Sequence, residues 1–184
     1  MAALQSNAAE AIKGLFVQYG NEVYQYVRFT LGDPIQSEDV VQEIFLRALQ
    51  AWHRFELRSS PRTWLWSIVR NHLRDELRKK KRLGQLQELD IHLFPGTLSS
   101  QDSYESVEIE SILQYLSVQY RQMVILRIIQ DNSTAEAAQI LGWPKTKVRV
   151  TLHRALKKLQ LIFTDGTIEN DLRKGANPDG SERT

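Results

Sequence analysis

Two small all-α domains joined by a flexible acidic linker are the fold this sequence predicts, and three observations predict it. Apolar residues recur at steps of three and four through most of the chain, the period of amphipathic helices. Nine Gly and five Pro are too few for a turn-rich β protein, while 42% hydrophobic residues suffice for packed cores. Charge is segregated. Residues 58 to 82 hold nine Lys and Arg against two acids, and residues 121 to 158 hold eight against two. Residues 83 to 120 hold six acids and no base, so a net charge of +2 hides two basic blocks of +7 and +6. Such blocks point to one polyanion gripped twice, because clustered cations release counterions from phosphates. Two solvated helix faces are the alternative.

Composition narrows the chemistry. Without Cys there is no disulfide framework and no thiolate zinc site. His53, His72, His92 and His153 lack the HxxxH spacing of a helical metal site, so no metal and no cofactor are expected. No apolar run approaches the roughly 18 residues of a membrane span, and the N-terminus lacks a basic stretch followed by an apolar core. These features predict a soluble protein of the cytoplasm.

The elements follow in order. Ile12, Leu15, Phe16, Tyr19, Val23, Tyr26 and Val27 mark a first helix that breaks at Gly32-Asp33-Pro34. Ser37 is the expected N-cap of a second, with Glu38 and Asp39 in its first turn and Val41, Ile44, Phe45, Ala48, Leu49 and Trp52 on its buried side. Ser60-Pro61 starts a third, which carries Trp64, Leu65, Ile68, Val69, His72, Leu73 and Leu77 inward and ends in Arg78-Lys79-Lys80-Lys81-Arg82. Residues 83–104 lose periodicity and read as a linker, longer than most connections inside a domain. This makes 1–82 one domain and 105–164 another. In the second, Val107, Ile109, Ile112, Leu113, Leu116, Met123, Val124, Leu126 and Ile128 restore the helical pattern, and Asp131-Asn132 turns the chain. Ser133-Thr-Ala-Glu136 is a capping box opening a helix that ends at Leu141-Gly142. The last helix begins near Pro144 and buries Val148, Leu152, Ala155, Leu156, Leu159 and Phe163. Residues 165–184 form a polar tail.

Two constellations carry chemistry. Ala138, Gly142 and Val148 have the spacing of a helix-turn-helix: a small residue for close approach, a Gly for the left-handed turn, a β-branched plug. A tight helical hairpin of another kind has the same spacing. The outward positions favour DNA, since Lys145, Thr146, Lys147, Arg149, Val150, His153 and Arg154 lie where a recognition helix meets base edges and phosphates. On the third helix, Arg62, Trp66, Arg70 and Arg74 step by four, and cations interleaved with an aromatic suit unpaired bases. Trp66 packed against a neighbouring helix, with the arginines merely solvated, fits the same spacing. Asn71 and Asp75 on that helix could bond a base or each other. Glu38, Asp39 and Glu43 complement a helix dipole, and no nucleophile or His is placed to make them catalytic, so no enzyme and no small-molecule substrate are expected.

Asp39-Val-Val-Gln-Glu-Ile-Phe-Leu-Arg-Ala48, Trp52-His-Arg-Phe55 and Thr63-Trp-Leu-Trp-Ser-Ile-Val-Arg-Asn71 resemble region 2 of the extracytoplasmic-function sigma factors, and Leu116 to Arg127, Ala138-Gln-Ile-Leu-Gly142 and Val148 to Leu159 resemble region 4. The resemblance spans about residues 10 to 163. Arg58-Ser-Ser60 and Ser67 to Asn71 are similar to the sigma-X type of bacilli.

That resemblance implies roles. Asp39, Gln42, Glu43, Leu46 and Arg47 would meet the β′ coiled coil of core RNA polymerase, and region 4 the β flap. Phe55, Leu57, Arg58, Ser59 and Ser60 would form the loop that holds a base flipped from the melted −10 strand, with Arg62, Trp66, Arg70, Asn71, Arg74 and Asp75 reading or steadying it. Pro144, Lys145, Thr146, Lys147, Arg149, Val150, His153 and Arg154 would address the −35 duplex, with Arg127 on a phosphate. The linker would follow the path of nucleic acid through the polymerase, and a membrane-anchored anti-sigma factor would be the regulatory partner. The chain departs from the family at Thr146, Lys147 and Val150-Thr151, where Gly, Ser or Thr, and Ser-Arg are usual, and at Leu57 or Arg58, where the −10 loop usually has Gly. A helix-turn-helix activator or repressor that works without being a polymerase subunit is the rival reading.

Overall fold

The structure is a computed structural model that describes residues 2–55, 59–83 and 104–164. Its helices are α1 (Ala2–Leu31), α2 (Pro34–Ala51), α3 (Pro61–Arg82), α4 (Tyr104–Gln114), α5 (Val118–Val124), α6 (Thr134–Leu141) and α7 (Lys145–Thr164), with a 3-10 turn at Trp52–Arg54 and a π turn at Ile125–Ile129. No strand occurs among the described residues, as an all-α fold requires. No helix there is long and apolar enough to cross a membrane. Most of the acidic linker, the polar tail, Leu57 and Arg58 lie outside the described residues.

The first half is a three-helix unit. Gly32, at φ 69, makes the left-handed turn out of α1. The cap of α2 is Asp33 rather than Ser37: its carboxylate accepts from the Gln36 amide at 3.0 Å, and Pro34 occupies the first helical position. Proline's fixed φ starts the helix earlier than the Ser37 pattern indicates, so Ser37 falls one turn inside, buried, and donates to the Asp33 carbonyl at 2.5 Å. Ser60 caps α3 by accepting from the Thr63 amide at 3.1 Å. The buried side of α3 is Leu65, Trp66, Val69, His72 and Leu73. Trp64 and Ile68, expected inside, are half-buried instead. Trp66 meets Tyr26 of α1 edge to face at 5.2 Å and closes the core between α1 and α3.

The second half ends in the expected motif. Between α5 and α6 the chain winds through the π turn, closed by the Gln130 amide on the Ile125 carbonyl at 2.9 Å, and reverses at Asp131, φ 48. The capping box of α6 is complete: Ser133 Oγ accepts from the Glu136 amide at 3.2 Å, and the Glu136 carboxylate accepts from the Ser133 amide at 2.8 Å. Gly142, at φ 64, ends α6, and the Trp143 amide reaches back to the Ala138 carbonyl at 3.0 Å. On α7 the inward stripe is Val148, Thr151, Ala155 and Ile162, whereas Leu156 and Phe163 face outward. The expected stripe drifted because a four-residue step repeated along a 3.6-residue helix rotates off the core.

The halves are packed together, α1 on α5 and α3 on α6, and buried apolar side chains from α1 to α7 form one connected cluster. Arg28 of α1 and Glu110 of α4 make an ion pair at 2.9 Å with side chains only 7% and 13% exposed. Arg121 of α5 donates to the Leu113, Gln114 and Leu116 carbonyls of its own half and to the Thr30 carbonyl of α1.

Ser133→Ala should cost about 1 kcal/mol in chemical denaturation, the usual loss for a cap. The bonds from Ser133 hold the Glu136 carboxyl below its ordinary pKa. A depressed folded value makes this contribution complete above the ordinary carboxylate range and lost as pH falls through the folded value. The stability gap between wild type and Glu136→Gln should therefore shrink on acidification below about pH 4.

Candidate nucleic-acid interfaces

The candidate surface for duplex DNA begins with the Gly142 turn, from which α7 starts. Val148, fully buried, pins that turn to the core. This orientation leaves Pro144, Lys145, Thr146, Lys147, Arg149, Val150, His153 and Arg154 exposed together. Lys147 Nζ stands 3.9 Å from the centroid of the Trp143 ring, a cation–π contact that steadies one cation of the set. A shallow groove of about 420 Å³ runs between Gln119 and Tyr120 of α5 and Thr146, Lys147, Val150 and Arg154 of α7. Arg127 does not join this face. Half-buried, it donates from its guanidinium to the Asn132 carbonyl across the turn before α6.

The α3 surface divides into three settings. At its N-terminal end, Phe55 is half-buried in a cluster with Trp52 and Trp64, centroids 5.1 to 5.4 Å apart, while Ser59 and Ser60 are exposed beside it. At its C-terminal end Asn71, Arg74 and Asp75 are exposed, Asp75 lying 3.9 Å from Arg78. Between them Arg62 and Arg70 are half-buried against the second half of the chain. Trp66 requires correction: expected on the open strip, it is 1% exposed and has no face free for a base. The aromatic side near the loop belongs to Trp64 and Trp52. The sequence concealed them because Trp64-Leu65-Trp66 puts an indole on either side of the buried face and spacing alone does not choose between them.

On α2, Asp39, Gln42, Glu43, Leu46 and Arg47 share one exposed side, with Leu46 56% exposed. Glu43 lies 3.8 Å from Arg47 and 3.4 Å from Nε2 of the buried His72. Burial, with the Arg47 charge nearby, lowers the His72 pKa and keeps the imidazole neutral at pH 7. Among the described residues no group of three or more His, Cys, Asp or Glu could hold a metal ion.

Comparison with known proteins places both surfaces in one family. Residues 15–83 match the family model described as Sigma-70 region 2, and residues 106–159 match Sigma-70, region 4. The ECF RNA polymerase sigma factor SigX of Bacillus subtilis is 36% identical over 162 residues, 82% of this chain and 82% of that one. The RNA polymerase sigma factor YlaC of the same organism is 32% identical over 162 residues, 84% of this chain and 93% of its own length. Among solved structures, CnrH in complex with the cytosolic domain of CnrY is similar at a TM-score of 0.64 and 27% identity, covering 89% of this chain and 96% of that one. RpoE in complex with the anti-sigma factor NepR from Bartonella quintana shares the fold at a TM-score of 0.65 and 23% identity, covering 84% and 98%.

Trp66→Ala should cost about 3 to 5 kcal/mol of stability as a core truncation. Trp64→Ala should cost less than half as much, because its ring is already partly in solvent. Denaturation midpoints of the two variants check the assignment of the inner and outer indoles.

Proposed function

The chain belongs to the extracytoplasmic-function group of the sigma-70 family, and from this premise we propose how its surfaces divide the work of promoter-specific transcription initiation. Domain 1–82 docks on core RNA polymerase and handles the −10 element, residues 83–104 link, and domain 105–164 reads the −35 duplex. The observation that carries this division is the exposed cationic end of α7, oriented by a left-handed Gly142 behind a fully capped α6. That is the geometry by which a recognition helix enters the major groove.

On this reading Lys145, Lys147, Arg149 and Arg154 supply phosphate or base contacts, and Thr146, Val150 and His153 tune the choice of base, with Thr146, Lys147 and Val150 departing from the family's usual residues. Asp39, Gln42, Glu43, Leu46 and Arg47 form the polymerase dock: an exposed Leu among charges combines desolvation with polar register. The loop from Phe55 to Ser60, backed by Trp52 and Trp64, accepts the extruded −10 base, and Arg62, Arg70, Asn71, Arg74 and Asp75 steady the strand. Stacking is worth about 1 to 3 kcal/mol per base, enough to offset part of the unpairing cost. The chain performs no chemistry; binding energy stabilises a melted segment. It acts in the cytoplasm, where a membrane-anchored anti-sigma factor restrains it, a partner class supported by the complex of CnrH with the cytosolic domain of CnrY.

Run-off transcription with core polymerase on a promoter library tests the whole reading: promoter-specific transcripts are expected, and tight operator binding with no transcript would favour the activator alternative. Arg149→Ala should weaken −35 recognition by about 1 to 3 kcal/mol at one base position, whereas equal weakening on all sequences would make it a phosphate contact. Leu46→Asp should abolish co-purification with core polymerase while leaving the thermal midpoint within a few degrees of wild type, since Leu46 contributes little to the core.

A further inference from the structure

The first turn of α7 breaks a local electrostatic rule. A helix carries the positive end of its dipole at the N-terminus, where acids are favoured and cations are not. Lys145, Lys147 and Arg149 nevertheless fall within the first five residues of α7, and its first turn holds no acid. One of the three has a visible compensation. Lys147 Nζ stands 3.9 Å from the centroid of the Trp143 ring, whose π face carries negative potential. The ring is itself held in place: Trp143 is half-buried against the apolar core, its backbone lies between the left-handed Gly142 and Pro144, and its amide donates to the Ala138 carbonyl at 3.0 Å. The indole is thus a fixed plate on which an otherwise exposed lysine rests. Lys147 also lines the groove that Gln119 and Tyr120 of α5 form with α7, so the ammonium on the indole borders that groove.

We propose that Trp143 is a positioning residue for −35 recognition: its indole holds the Lys147 ammonium toward one base pair, where the lysine selects guanine. This rests on the reading of α7 as the −35 helix and adds the base that one of its side chains chooses. A lysine head on a free four-carbon stem reaches phosphates of any sequence, and it loses rotamer freedom whenever it settles on one target. Over a fixed ring much of that freedom is already gone. The reach of the head narrows to what lies beside the first turn of α7, where a recognition helix meets base edges. An ammonium has three donors, so a ring on one side leaves donors for the groove. Guanine presents two acceptors there, O6 and N7, whereas adenine sets an amino donor beside its N7. Acceptors at this place also offset the positive charge that Lys145, Lys147 and Arg149 crowd at the end of the helix dipole.

Two measurements test this. In the full-length protein the Lys147 ε-methylene protons, assigned by their loss in Lys147→Arg, should resonate upfield in a proton–carbon correlation spectrum, because the indole ring current shields them. Ordinary lysine shifts overturn the proposal. For the second measurement, holoenzyme reconstituted with core polymerase transcribes a promoter library randomised across the −35 and −10 elements, each member barcoded in its transcript. Wild type should prefer guanine at one −35 position, and Lys147→Met should lower that preference by about tenfold while sparing the other positions. Trp143→Leu should remove most of the same preference at the same position, and adding Lys147→Met to it should remove no more than Lys147→Met alone. Trp143→Phe, a weaker face, should lose part of it, and it carries the test should Trp143→Leu not fold. A guanine preference untouched by the Trp143 variants overturns the positioning role, as does a loss spread evenly over all −35 positions, which marks a purely structural residue. Uniform weakening by Lys147→Met, or a preference for another base at its position, overturns the selection of guanine. Arg149→Ala separates the two readings. If neither it nor Lys147→Met alters any −35 preference, the −35 assignment of α7 fails; if it flattens a position and the Trp143 variants flatten none, only the positioning role fails.

Discussion

The burial of Arg28 and Glu110 against each other constrains the whole arrangement. Each charge removed from water costs several kcal/mol, and only a close, well-oriented partner offsets it. Glu110 therefore has one place to be, and it fixes α4 against α1. Arg121 completes the seam: it is buried enough that its pKa falls to about 10, yet it stays protonated at neutral pH and spends its donors on four carbonyls, one of them Thr30 of α1. Beyond α5 the chain reverses at Asp131, and α6 lies on α3. These polar ties orient the two halves around the apolar cluster that they share.

How much of this was legible in the sequence follows from the range of each interaction. The local signals were read correctly: Ser60-Pro61, the Ser133–Glu136 box and the Gly142 stop are written within four residues of where they act. Where two local signals competed, the pattern misled. Asp33-Pro34 and Ser37 both resemble helix starts, and the proline decided. Trp64-Leu65-Trp66 offers two indoles for one buried face, and the contact with Tyr26, forty residues away, chose Trp66. Arg127, which the resemblance would put on a phosphate, is half-buried and bonds the Asn132 carbonyl five residues on, a partner that the resemblance does not indicate. The seam left no trace in any window, because Arg62 and Asn132 are 70 residues apart and Arg28 and Glu110 are 82.

The segregated charge takes on another meaning in the folded chain. Both basic blocks were read as surfaces waiting for a polyanion, yet part of the first is already answered within the molecule by Glu22, Asn132 and Glu136. The second is left open on α7, apart from Lys147 over Trp143. Similar formal charges thus conceal unequal availability.

The π turn at Ile125–Ile129 has a consequence for length. An α-helix advances roughly 100° per residue, so losing one residue normally rotates everything beyond it. A π turn holds one residue more than an α turn does, and it can give that residue up by tightening to an α-helix. A single-residue deletion between Ile125 and Ile129 could be absorbed there, with Gln130, Asn132 and α6 kept in phase. The segment works as a slack loop in the helical register between α5 and α6.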